Sequence, residues 1–334
     1  MSDFLEVLED VFVKEVNLVE EGDSFPRDFF ENLQTSKYPG MVQVGISNSC
    51  DLACQQCYHR TFKKNFGYKP TFMDVSVFKR IIDETATFSE TKALRFLGKG
   101  EALLHPNLIE ILSYARANLN IPIVLITNGI KLNSEMARRI FETEIDVLDI
   151  SIDANSSEVY GTVRSHPEKF HMLTRNVERL IELKRRCGFK TKIFISFLVQ
   201  PENYHEVYDF KARWQGKVDK ILYRKYHTYS GKLERKPTPY RDRIPCAALW
   251  SRLNINEKGL ITRCFVDWGD KHILADFNDR KVTLLDTWRG QVYKCVRQQH
   301  LTKKFSGICK KCEGWQTAHW NISYEKAIEM TGGK

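Results

Sequence analysis

The sequence predicts an α/β protein, a partial (β/α)6 parallel barrel followed by a small C-terminal cysteine-rich domain. Two observations carry this prediction. Six short runs rich in Val, Ile and Phe alternate with longer amphipathic stretches between residues 41 and 226. From Cys246 onward the pattern changes to short apolar runs, turns and cysteines. Alternating strand and helix patterns are typical of parallel β/α units.

The strand candidates are almost continuously apolar, as strands of a parallel sheet covered on both faces are. We expect them at residues 41–47, 93–98, 121–128, 146–153, 190–200 and 219–226. In a parallel β/α barrel the chemistry gathers where the carboxyl ends of the strands meet. The residues that follow each strand are therefore the candidates for function.

Apolar residues at helical spacing mark the helices between the strands. The first helix has three on one face: Phe78, Ile81 and Ile82. A later helix is expected to begin near Pro106, which stands where a first-turn proline belongs. The longest helix carries four apolar residues on one face: Leu173, Val177, Leu180 and Ile181.

Five segments are expected along the chain. Residues 1–40 carry no motif and are expected to cap the barrel, which takes residues 41–232. Pro237, Pro239 and Pro245 stand among charged residues and indicate a linker over 233–245. The second domain then takes residues 246–320, and residues 321–334 form a tail.

The composition is that of a globular protein, with 42% hydrophobic and 28% charged residues. The net charge of +9 comes without a long basic run or a recognition module, so a nucleic-acid partner is not expected. Neither a membrane helix nor a signal peptide is expected from the hydropathy pattern. Nine cysteines without an export signal indicate metal or redox use in a reducing cytoplasm.

Three cysteines stand directly after the first strand, with the spacing C-x3-C-x2-C: Cys50, Cys54 and Cys57. Three unconnected buried thiols, or a zinc site with a distant fourth ligand, are the alternatives to consider. Three thiolates in one tight loop suit three irons of a [4Fe–4S] cube whose fourth iron stays open. The loop resembles that of the radical S-adenosylmethionine (SAM) enzymes, including the aromatic Tyr58 after the third cysteine.

The second strand ends in Gly98-Lys99-Gly100-Glu101. Glycines at a strand end allow close backbone approach to a ligand. The segment looks like the glycine-rich segment of the same family, and the resemblance implies that Glu101, with Gly98 and Gly100, holds the amino group of SAM. Ala102 stands where the family more often has proline, so the match is imperfect.

Polar residues also end the third and fourth strands. Thr127 and Asn128 could meet ribose or adenine, or could form an ordinary turn. Ser151 and Asp153 close the fourth strand, and Arg164 follows. The resemblance implies a serine on the ribose and an arginine on the carboxylate of SAM, because the guanidinium fork suits a carboxylate. Pairing of Arg164 with an acid of the chain is the alternative.

The sixth strand carries Tyr223-Arg224-Lys225-Tyr226-His227. This cluster could bind the hydroxyl, phosphate or carboxylate groups of a substrate at the barrel mouth. It could equally form a surface between the domains.

A second cysteine set lies in the C-terminal domain: Cys246, Cys264, Cys309 and Cys312. By spacing alone, a four-cysteine zinc site competes with an iron–sulfur cluster. The surrounding residues, such as the late Cys309-x2-Cys312-x2-Trp315, resemble the auxiliary-cluster (SPASM) domain of radical SAM enzymes in its shortened twitch form. The resemblance implies one auxiliary [4Fe–4S] cluster.

Two cysteines remain, Cys187 and Cys295. Cys187 is expected to be a bystander. Cys295 is either a structural thiol, as buried free cysteines usually are, or a hydrogen-atom donor such as related epimerases use.

The resemblance covers roughly residues 41–316 and implies reductive cleavage of SAM to a 5′-deoxyadenosyl radical, which abstracts a hydrogen atom from the substrate. We expect oxidation of a sugar-like or cyclitol alcohol, with the auxiliary cluster as electron acceptor and a flavodoxin- or ferredoxin-type electron donor. A peptide substrate or an epimerisation is the alternative. A nucleotide substrate, and a metal-stabilised binding protein without enzymatic activity, are more remote.

Overall fold

A computed structural model describes residues 37–65, 67–226 and 243–317, together with Val7. The expected cap over 1–40, linker over 233–245 and tail over 321–334 lie largely or wholly outside the described residues. Among the described helices, none combines the length and the apolar character that crossing a membrane requires.

All six predicted barrel strands are confirmed, each slightly shorter than expected. They are β1 (Met41–Val44), β2 (Ala93–Phe96), β3 (Ile123–Thr127), β4 (Val147–Ser151), β5 (Lys192–Val199) and β6 (Lys220–Lys225). In the described residues of the cysteine-rich part, 243–317, three further strands follow: β7 (Arg252–Ile255), β8 (Leu260–Thr262) and β9 (Ile273–Asp276).

Helices occupy the connections between the barrel strands. They are α1 (His59–Asn65), α2 (Val75–Thr85), α3 (Leu108–Asn118), α4 (Ser134–Glu142), α5 (Ser157–Arg164), α6 (Phe170–Cys187) and α7 (Val207–Trp214). The cysteine-rich part adds α8 (Ala248–Ser251), α9 (Leu284–Arg289) and α10 (Gln291–Leu301). The apolar faces predicted for α2 and α6 are buried, with Ile181 of α6 only partly so.

The prediction that Pro106 lies in the first turn of a helix was wrong by a short distance. Helix α3 begins at Leu108 with Asn107 as its N-cap residue. Pro106 instead occupies the bend between α3 and a 3-10 turn at Ala102–Leu104. The backbone N–H of Asn107 donates a hydrogen bond to Nδ1 of His105 at 3.1 Å, and this bond stabilises the bend.

Strands β1 to β6 are parallel neighbours in chain order, as expected for successive β/α units. Strand β7 pairs in parallel with the other side of β1, and β8 and β9 continue antiparallel. Within the described residues the sheet does not close, since β6 lies at one edge and β9 at the other. The architecture is an open α/β barrel whose sheet runs on into the cysteine-rich part.

The two faces of the barrel strands are covered differently. On the outer face, residues such as Val42, Leu94 and Ile150 join the large core against the helices. On the inner face a second, smaller apolar cluster forms the floor of the open barrel: Met41, Ala93, Val124, Val147 and Phe194. Because side chains alternate along a strand, the residues two positions further on in the same strands lie above this floor, nearer the carboxyl ends.

Candidate active site

The first cysteine loop lies directly after β1, at the rim formed by the carboxyl ends of the strands. Its backbone is fastened to the chain around α5. Ala53 N–H donates to Oγ of Ser165 at 3.0 Å, and Gln55 N–H donates to the carbonyl of Val163 at 3.0 Å. The loop is therefore shaped by contacts of its own backbone.

The three cysteines of this loop are thiols, not disulfides, with Cys54 buried and Cys50 and Cys57 partly buried. Burial raises the pKa of the Cys50 thiol above its ordinary value, and Glu101 and the neighbouring cysteines raise it further. Burial also raises the pKa of Cys54. Neighbouring thiols that are shielded from water lose their protons only beside a strongly positive centre, such as a metal ion. The environment of this loop therefore fits a metal cluster.

Glu101 is buried at the end of β2 and is surrounded by donors. One carboxylate oxygen accepts from the hydroxyl of Thr127 at 2.7 Å and from Leu103 N–H at 2.9 Å. The other accepts from Asn128 N–H at 2.7 Å. Burial raises the pKa of Glu101 to about 7, against the lowering effect of these hydrogen bonds. A carboxylate held this rigidly, with a lone pair to spare, can accept from an ammonium group.

The glycines of this segment approach the chain's own backbone. A Cβ placed on Gly98 would lie 2.6 Å from Cα of Gly45, and one on Gly100 would lie 2.3 Å from the carbonyl oxygen of Ser49. The neighbouring Glu101 N–H donates to that same carbonyl at 2.7 Å. The glycine segment therefore lies against the cysteine loop, which brings Glu101 and Cys50 to one place.

Thr127 and Asn128 donate hydrogen bonds to Glu101 and to the cysteine loop, whereas we expected their side chains to contact a nucleoside. Beyond their bonds to Glu101, the Asn128 amide donates to the carboxylate of Asp51 at 2.7 Å and lies 4.0 Å from Sγ of Cys50. The hydroxyl of Thr127 accepts from Gly129 N–H at 3.0 Å. Both residues lie at the expected place, but their described contacts are with the protein.

Arg164 forms an ion pair with Asp153, with Nη2 and Oδ2 2.7 Å apart, and both side chains are buried. Its Nη1 lies 3.6 Å from Sγ of Cys54. This is the alternative in which the arginine pairs with an acid of the chain. The structure thus brings Arg164 and Asp153 to the cysteine loop, with the guanidinium shared between a carboxylate and a thiol.

Asp153 connects three elements. Its carboxylate accepts from Leu198 N–H on β5 at 2.7 Å and from the Gln56 side chain in the cysteine loop at 2.9 Å. Its backbone has a positive φ of 62°, a conformation that aspartate tolerates better than most residues. Ser151 lies apart from this network and accepts a hydrogen bond from the hydroxyl of Ser196 at 3.2 Å.

The ring of Tyr58 lies in an aromatic cluster with Phe62 and Trp268, and its centroid is 5.9 Å from that of Trp268. Trp268 belongs to the cysteine-rich part of the chain. Tyr58 therefore joins the loop at the barrel rim to the part that carries the second cysteine set.

The second cysteine set converges in the C-terminal part: Cys246, Cys264, Cys309 and Cys312, all free thiols. Burial raises the pKa of the Cys246 thiol to about 12, and Cys312 and Cys309 contribute to the increase. The pKa of Cys264 is raised in the same way, by burial and by the other three cysteines. The Cys246 N–H donates to Nδ1 of His300 at 3.2 Å, which fixes one end of the set.

The geometry of the four thiols does not by itself separate zinc from a cluster. Both take four thiolates, and the four cysteines raise one another's pKa, so they lie close enough to share one metal centre.

The two remaining cysteines, Cys187 and Cys295, are exposed on helices α6 and α10. Cys295 accepts from the side chain of Gln291 at 3.5 Å on the same helix. It is an exposed surface thiol, unlike the buried structural thiol that we considered.

Two charged residues inside the barrel, Asp149 and Arg95, were missed in the sequence. Asp149 is fully buried in β4 and pairs with Arg224 of β6, and Arg95 of β2 is also buried. All three occupy strand positions that face the interior. The signal was available, because a charged residue inside an otherwise apolar strand must face either solvent or a polar cavity.

Successive side chains of β6 point to opposite faces of the sheet, so the residues of the predicted cluster 223–227 do not all face the barrel interior. Arg224 faces the interior, whereas Tyr223 is directed to the other side, where its ring centroid lies 6.4 Å from that of Phe197. Burial raises the pKa of Tyr223 to about 12. His227 lies outside the described residues. Only part of the predicted cluster can therefore meet a ligand in the barrel.

A cavity lies between the barrel rim and the cysteine-rich part, and it was also missed. Its lining includes Gly45, Gly98, Lys99, Glu257 and Cys264. Residues of the glycine segment and a cysteine of the second set thus line one space. Lys99 and Glu257 look like surface residues in sequence, since charged residues next to glycines usually lie in exposed turns.

Comparison with known proteins identifies both parts. The model of the Radical SAM superfamily matches residues 44–212, and that of an iron–sulfur cluster-binding domain, SPASM, matches residues 246–313.

Among curated proteins, a tungsten-containing aldehyde ferredoxin oxidoreductase cofactor-modifying protein of Pyrococcus furiosus is 24% identical over 277 residues, which is 79% of this chain and 73% of that protein. The mycofactocin maturase MftC of Mycobacterium ulcerans is 28% identical over 50% of this chain and 42% of its own length. The chain therefore spans less than half of that maturase.

Two solved structures show the same fold. SuiB of Streptococcus suis bound to its precursor peptide SuiA superposes with a TM-score of 0.65 and 14% identity, over 95% of this chain and 84% of that one. BtrN in complex with AdoMet and 2-DOIA superposes with a TM-score of 0.54 and 17% identity, over 83% of this chain and 93% of that one.

These matches give the cofactors. The chain is an enzyme that uses S-adenosylmethionine, a SAM-binding [4Fe–4S] cluster and an auxiliary iron–sulfur cluster. With the family model covering half of its length, the chain belongs to the Radical SAM superfamily.

Proposed function

We propose that this radical SAM enzyme oxidises a secondary alcohol of a sugar-like or cyclitol substrate to a ketone, with the auxiliary cluster as electron acceptor. When bound, the SAM-binding cluster and SAM supply the 5′-deoxyadenosyl radical that takes a hydrogen atom from the substrate carbon. A flavodoxin- or ferredoxin-type donor in a reducing cytoplasm supplies the electron, in keeping with nine cysteines that are thiols and not disulfides.

The roles of the residues follow from their chemistry and place. Cys50, Cys54 and Cys57 would hold three irons of the SAM-binding cluster, and Glu101 would accept from the SAM amino group. The other SAM contacts would come from the same rim: Tyr58, Gly98, Gly100, Thr127, Asn128, Ser151, Asp153 and Arg164. Cys246, Cys264, Cys309 and Cys312 would fill all four iron sites of the auxiliary cluster, which leaves it free to accept an electron but not to bind substrate.

The observation that carries the substrate class is the interior of the barrel. Above the apolar floor lies a layer of polar side chains that includes Gln43, Arg95 and Asp149. Gln43 donates to the side chain of Asn254 on β7 at 3.0 Å, so the layer extends across the sheet. This layer offers hydrogen-bond donors and acceptors, with a positive charge on Arg95 and a negative charge on Asp149. Such a lining suits a small substrate rich in hydroxyl and amino groups.

A second candidate is modification of a peptide or a cofactor precursor. The similarity to a maturase, to a cofactor-modifying protein and to SuiB with its peptide favours this alternative. An epimerisation that returns a hydrogen atom from cysteine is less well supported, because both cysteines outside the two sets are exposed on helices.

The first experiment determines the cofactors and the cleavage reaction. The protein is purified without oxygen and reconstituted, and iron, sulfide and zinc are measured. We expect about eight irons per chain, falling to about four in a Cys309→Ala/Cys312→Ala variant, with 5′-deoxyadenosine formed on addition of dithionite and SAM. About four irons and one zinc would remove the electron acceptor, and with it the proposed oxidation.

The second experiment identifies the substrate class. Cyclitols, aminocyclitols and sugars are incubated with the enzyme, SAM and dithionite, and carbonyl products are trapped with a hydrazine. We expect one ketone per 5′-deoxyadenosine with at least one of these alcohols. No carbonyl from any alcohol, together with a mass change in a test peptide, would establish the second candidate.

A further inference from the structure

A group of four charged residues joins the barrel rim to the cysteine-rich part. Lys99, from the glycine segment after β2, places Nζ 2.5 Å from Oδ1 of Asp270 and 3.6 Å from Oε1 of Glu257. Lys258 contacts the other oxygen of Asp270 at 2.8 Å. The side chains of Lys99 and Glu257 are 4% and 0% exposed, so the contact is shielded from solvent.

Within this group Asp270 makes a full set of contacts. It accepts from both lysines and, through Oδ1, from the Asn256 amide at 2.9 Å. The hydrogen bonds from the two lysines hold the pKa of Asp270 below its usual range, although burial acts in the opposite direction. Asp270 therefore serves as the structural counterion of the group.

Glu257 shares Lys99 with Asp270 but differs from it in hydrogen bonding. Among the described residues, neither of its carboxylate oxygens accepts a hydrogen bond from another side chain, because Lys99 Nζ stays 3.6 Å from Oε1. Burial raises the pKa of Glu257 above its usual range, and the Lys99 ammonium only partly opposes this. A buried carboxylate without hydrogen bonds weakens a fold, so a structural role does not explain why it is buried here.

Glu257 is among the residues that line the cavity between the barrel rim and the cysteine-rich part. Gly98, beside the expected SAM amino-group site, lines the same cavity, and so does Cys264 of the second set. Glu257 therefore shares one space with the segment proposed to hold SAM and with one proposed ligand of the auxiliary cluster.

We propose that Glu257 is the proton acceptor of the oxidation, with Lys99 as the neighbouring charge that keeps its carboxylate ionised before turnover. This inference rests on the proposed function. The substrate alcohol loses its carbon-bound hydrogen atom to the 5′-deoxyadenosyl radical, which becomes 5′-deoxyadenosine. The O–H proton would then pass to the Glu257 carboxylate as the C=O double bond forms, and a cluster held by Cys246, Cys264, Cys309 and Cys312 would supply the acceptor for the remaining electron.

The first arm of the test uses the reconstituted enzyme with the alcohol found active above. In Glu257→Gln the amide keeps the shape of the side chain but cannot take a proton. We expect 5′-deoxyadenosine to form still, while ketone per 5′-deoxyadenosine falls at least tenfold and a substrate radical becomes visible by electron paramagnetic resonance. An unchanged ratio of ketone to 5′-deoxyadenosine would overturn the assignment.

Glu84→Gln is the matched control. Glu84 is a partly buried glutamate on α2 whose carboxylate accepts from Leu284 N–H at 2.6 Å, and it is not among the residues that line the cavity. We expect this variant to keep the wild-type ratio of ketone to 5′-deoxyadenosine. The control thus separates general damage from a lost proton acceptor.

The second arm needs no substrate and stays informative if the proposed function fails. Apparent melting temperatures of the reconstituted wild type and Glu257→Gln are compared from about pH 5 to about pH 9. Because the folded-state pKa of Glu257 is raised, its ionisation weakens the fold as pH rises, so the variant should melt higher, with a gap that widens with pH. Lys99, Lys258 and Asp270 face Glu257 in both proteins and cancel in the comparison. A variant that melts lower at every pH would make Glu257 a structural ion-pair partner and would overturn the proposal.

Discussion

Arg164 is the residue on which the cysteine loop and the end of β4 both depend. Its buried pairing with Asp153, at 2.7 Å, places a positive charge beside Cys54. Removing one partner of a buried pair costs about 3–5 kcal/mol, because the other charge stays buried. We predict that Arg164→Leu lowers the free energy of unfolding of the apoprotein by about 3 kcal/mol, measured by urea denaturation.

The control for this prediction is the pair of variants Asp153→Asn and Asp153→Asn/Arg164→Leu. If the pair is structural, the double variant should be more stable than the two single changes add up to. SAM affinity of reconstituted Arg164→Lys gives a separate readout of the cofactor role. An Arg164→Leu apoprotein within about 1 kcal/mol of the wild type would contradict a structural ion pair.

How far individual residues could be predicted depends on whether their role is local. Glu101 could be singled out as a candidate because it ends a strand beside glycines, a pattern contained within four residues. Glu257 could not be found, because Asn256-Glu257-Lys258-Gly259 is an ordinary charged turn in sequence. Its burial arises only when Lys99, from a distant strand, lies against it.

Gly100 shows how one element sets the position of another. A Cβ at this position would lie 2.3 Å from the carbonyl oxygen of Ser49, directly before Cys50. We predict that Gly100→Ala displaces the cysteine loop and removes about four of the eight irons, because three ligands must converge on one cluster. Iron content after reconstitution measures the effect.

Gly216→Ala is the matched control for this change. Gly216 has a φ of 77° and nothing within 4 Å of an added Cβ, so alanine there strains the backbone without a clash. We expect a loss of about 1 kcal/mol in stability and no loss of iron. Equal iron losses in both variants would mean that the close approach of Gly100 is unimportant.

His105 holds the bend before α3 only while its imidazole is neutral. Nδ1 accepts from Asn107 N–H at 3.1 Å, and Nε2 lies 2.9 Å from the carbonyl of Met73. Burial lowers the pKa of His105. The unfolded chain therefore binds a proton more readily, and stability should fall as pH drops from about 8 to about 5.

The test compares urea midpoints of the wild type and His105→Gln across that pH range. The variant should be less stable near neutral pH, because it loses the two hydrogen bonds that the ring makes. The difference between the two proteins should shrink toward acid, since only the wild type carries this titrating group. A difference that is constant with pH would assign the acid sensitivity to other groups.

At the level of elements, local pattern was sufficient for the barrel strands and insufficient for their partners. The apolar runs predicted β1 to β6 because burial on both faces leaves a continuous signature. The pairing of β7 with β1 has no such signature, since the two strands lie about 200 residues apart in the chain. Which distant strands pair is determined by the tertiary structure and not by the local sequence.

The whole molecule depends on this shared sheet. Strand β1 pairs with β2 on one side and with β7 on the other, and Gly45 N–H donates to the carbonyl of Ile255 at 2.8 Å. The prediction of two domains rested on the change from alternating strand and helix patterns to short apolar runs and cysteines. It did not include the pairing of β1 with a strand from the cysteine-rich part.

This arrangement predicts the behaviour of a chain that ends at residue 245. Such a chain loses β7 and leaves Met41–Val44, a buried apolar strand, with one row of backbone groups unpaired. Exposed, apolar edge strands pair with other chains. We predict that the shortened chain aggregates, as seen by size-exclusion chromatography with light scattering, even when the first cysteine loop is reconstituted under strictly anaerobic conditions.

A full-length Cys309→Ser/Cys312→Ser variant separates loss of the sheet from loss of the auxiliary cluster. It lacks two ligands of the second set but keeps β7 against β1, so it should stay monodisperse while losing about four irons. If the variant aggregates as readily as the shortened chain, then the auxiliary cluster holds the cysteine-rich part in place, and β7 pairs with β1 only because the cluster is present. If the shortened chain is monodisperse and melts cooperatively, the barrel strands fold independently of β7.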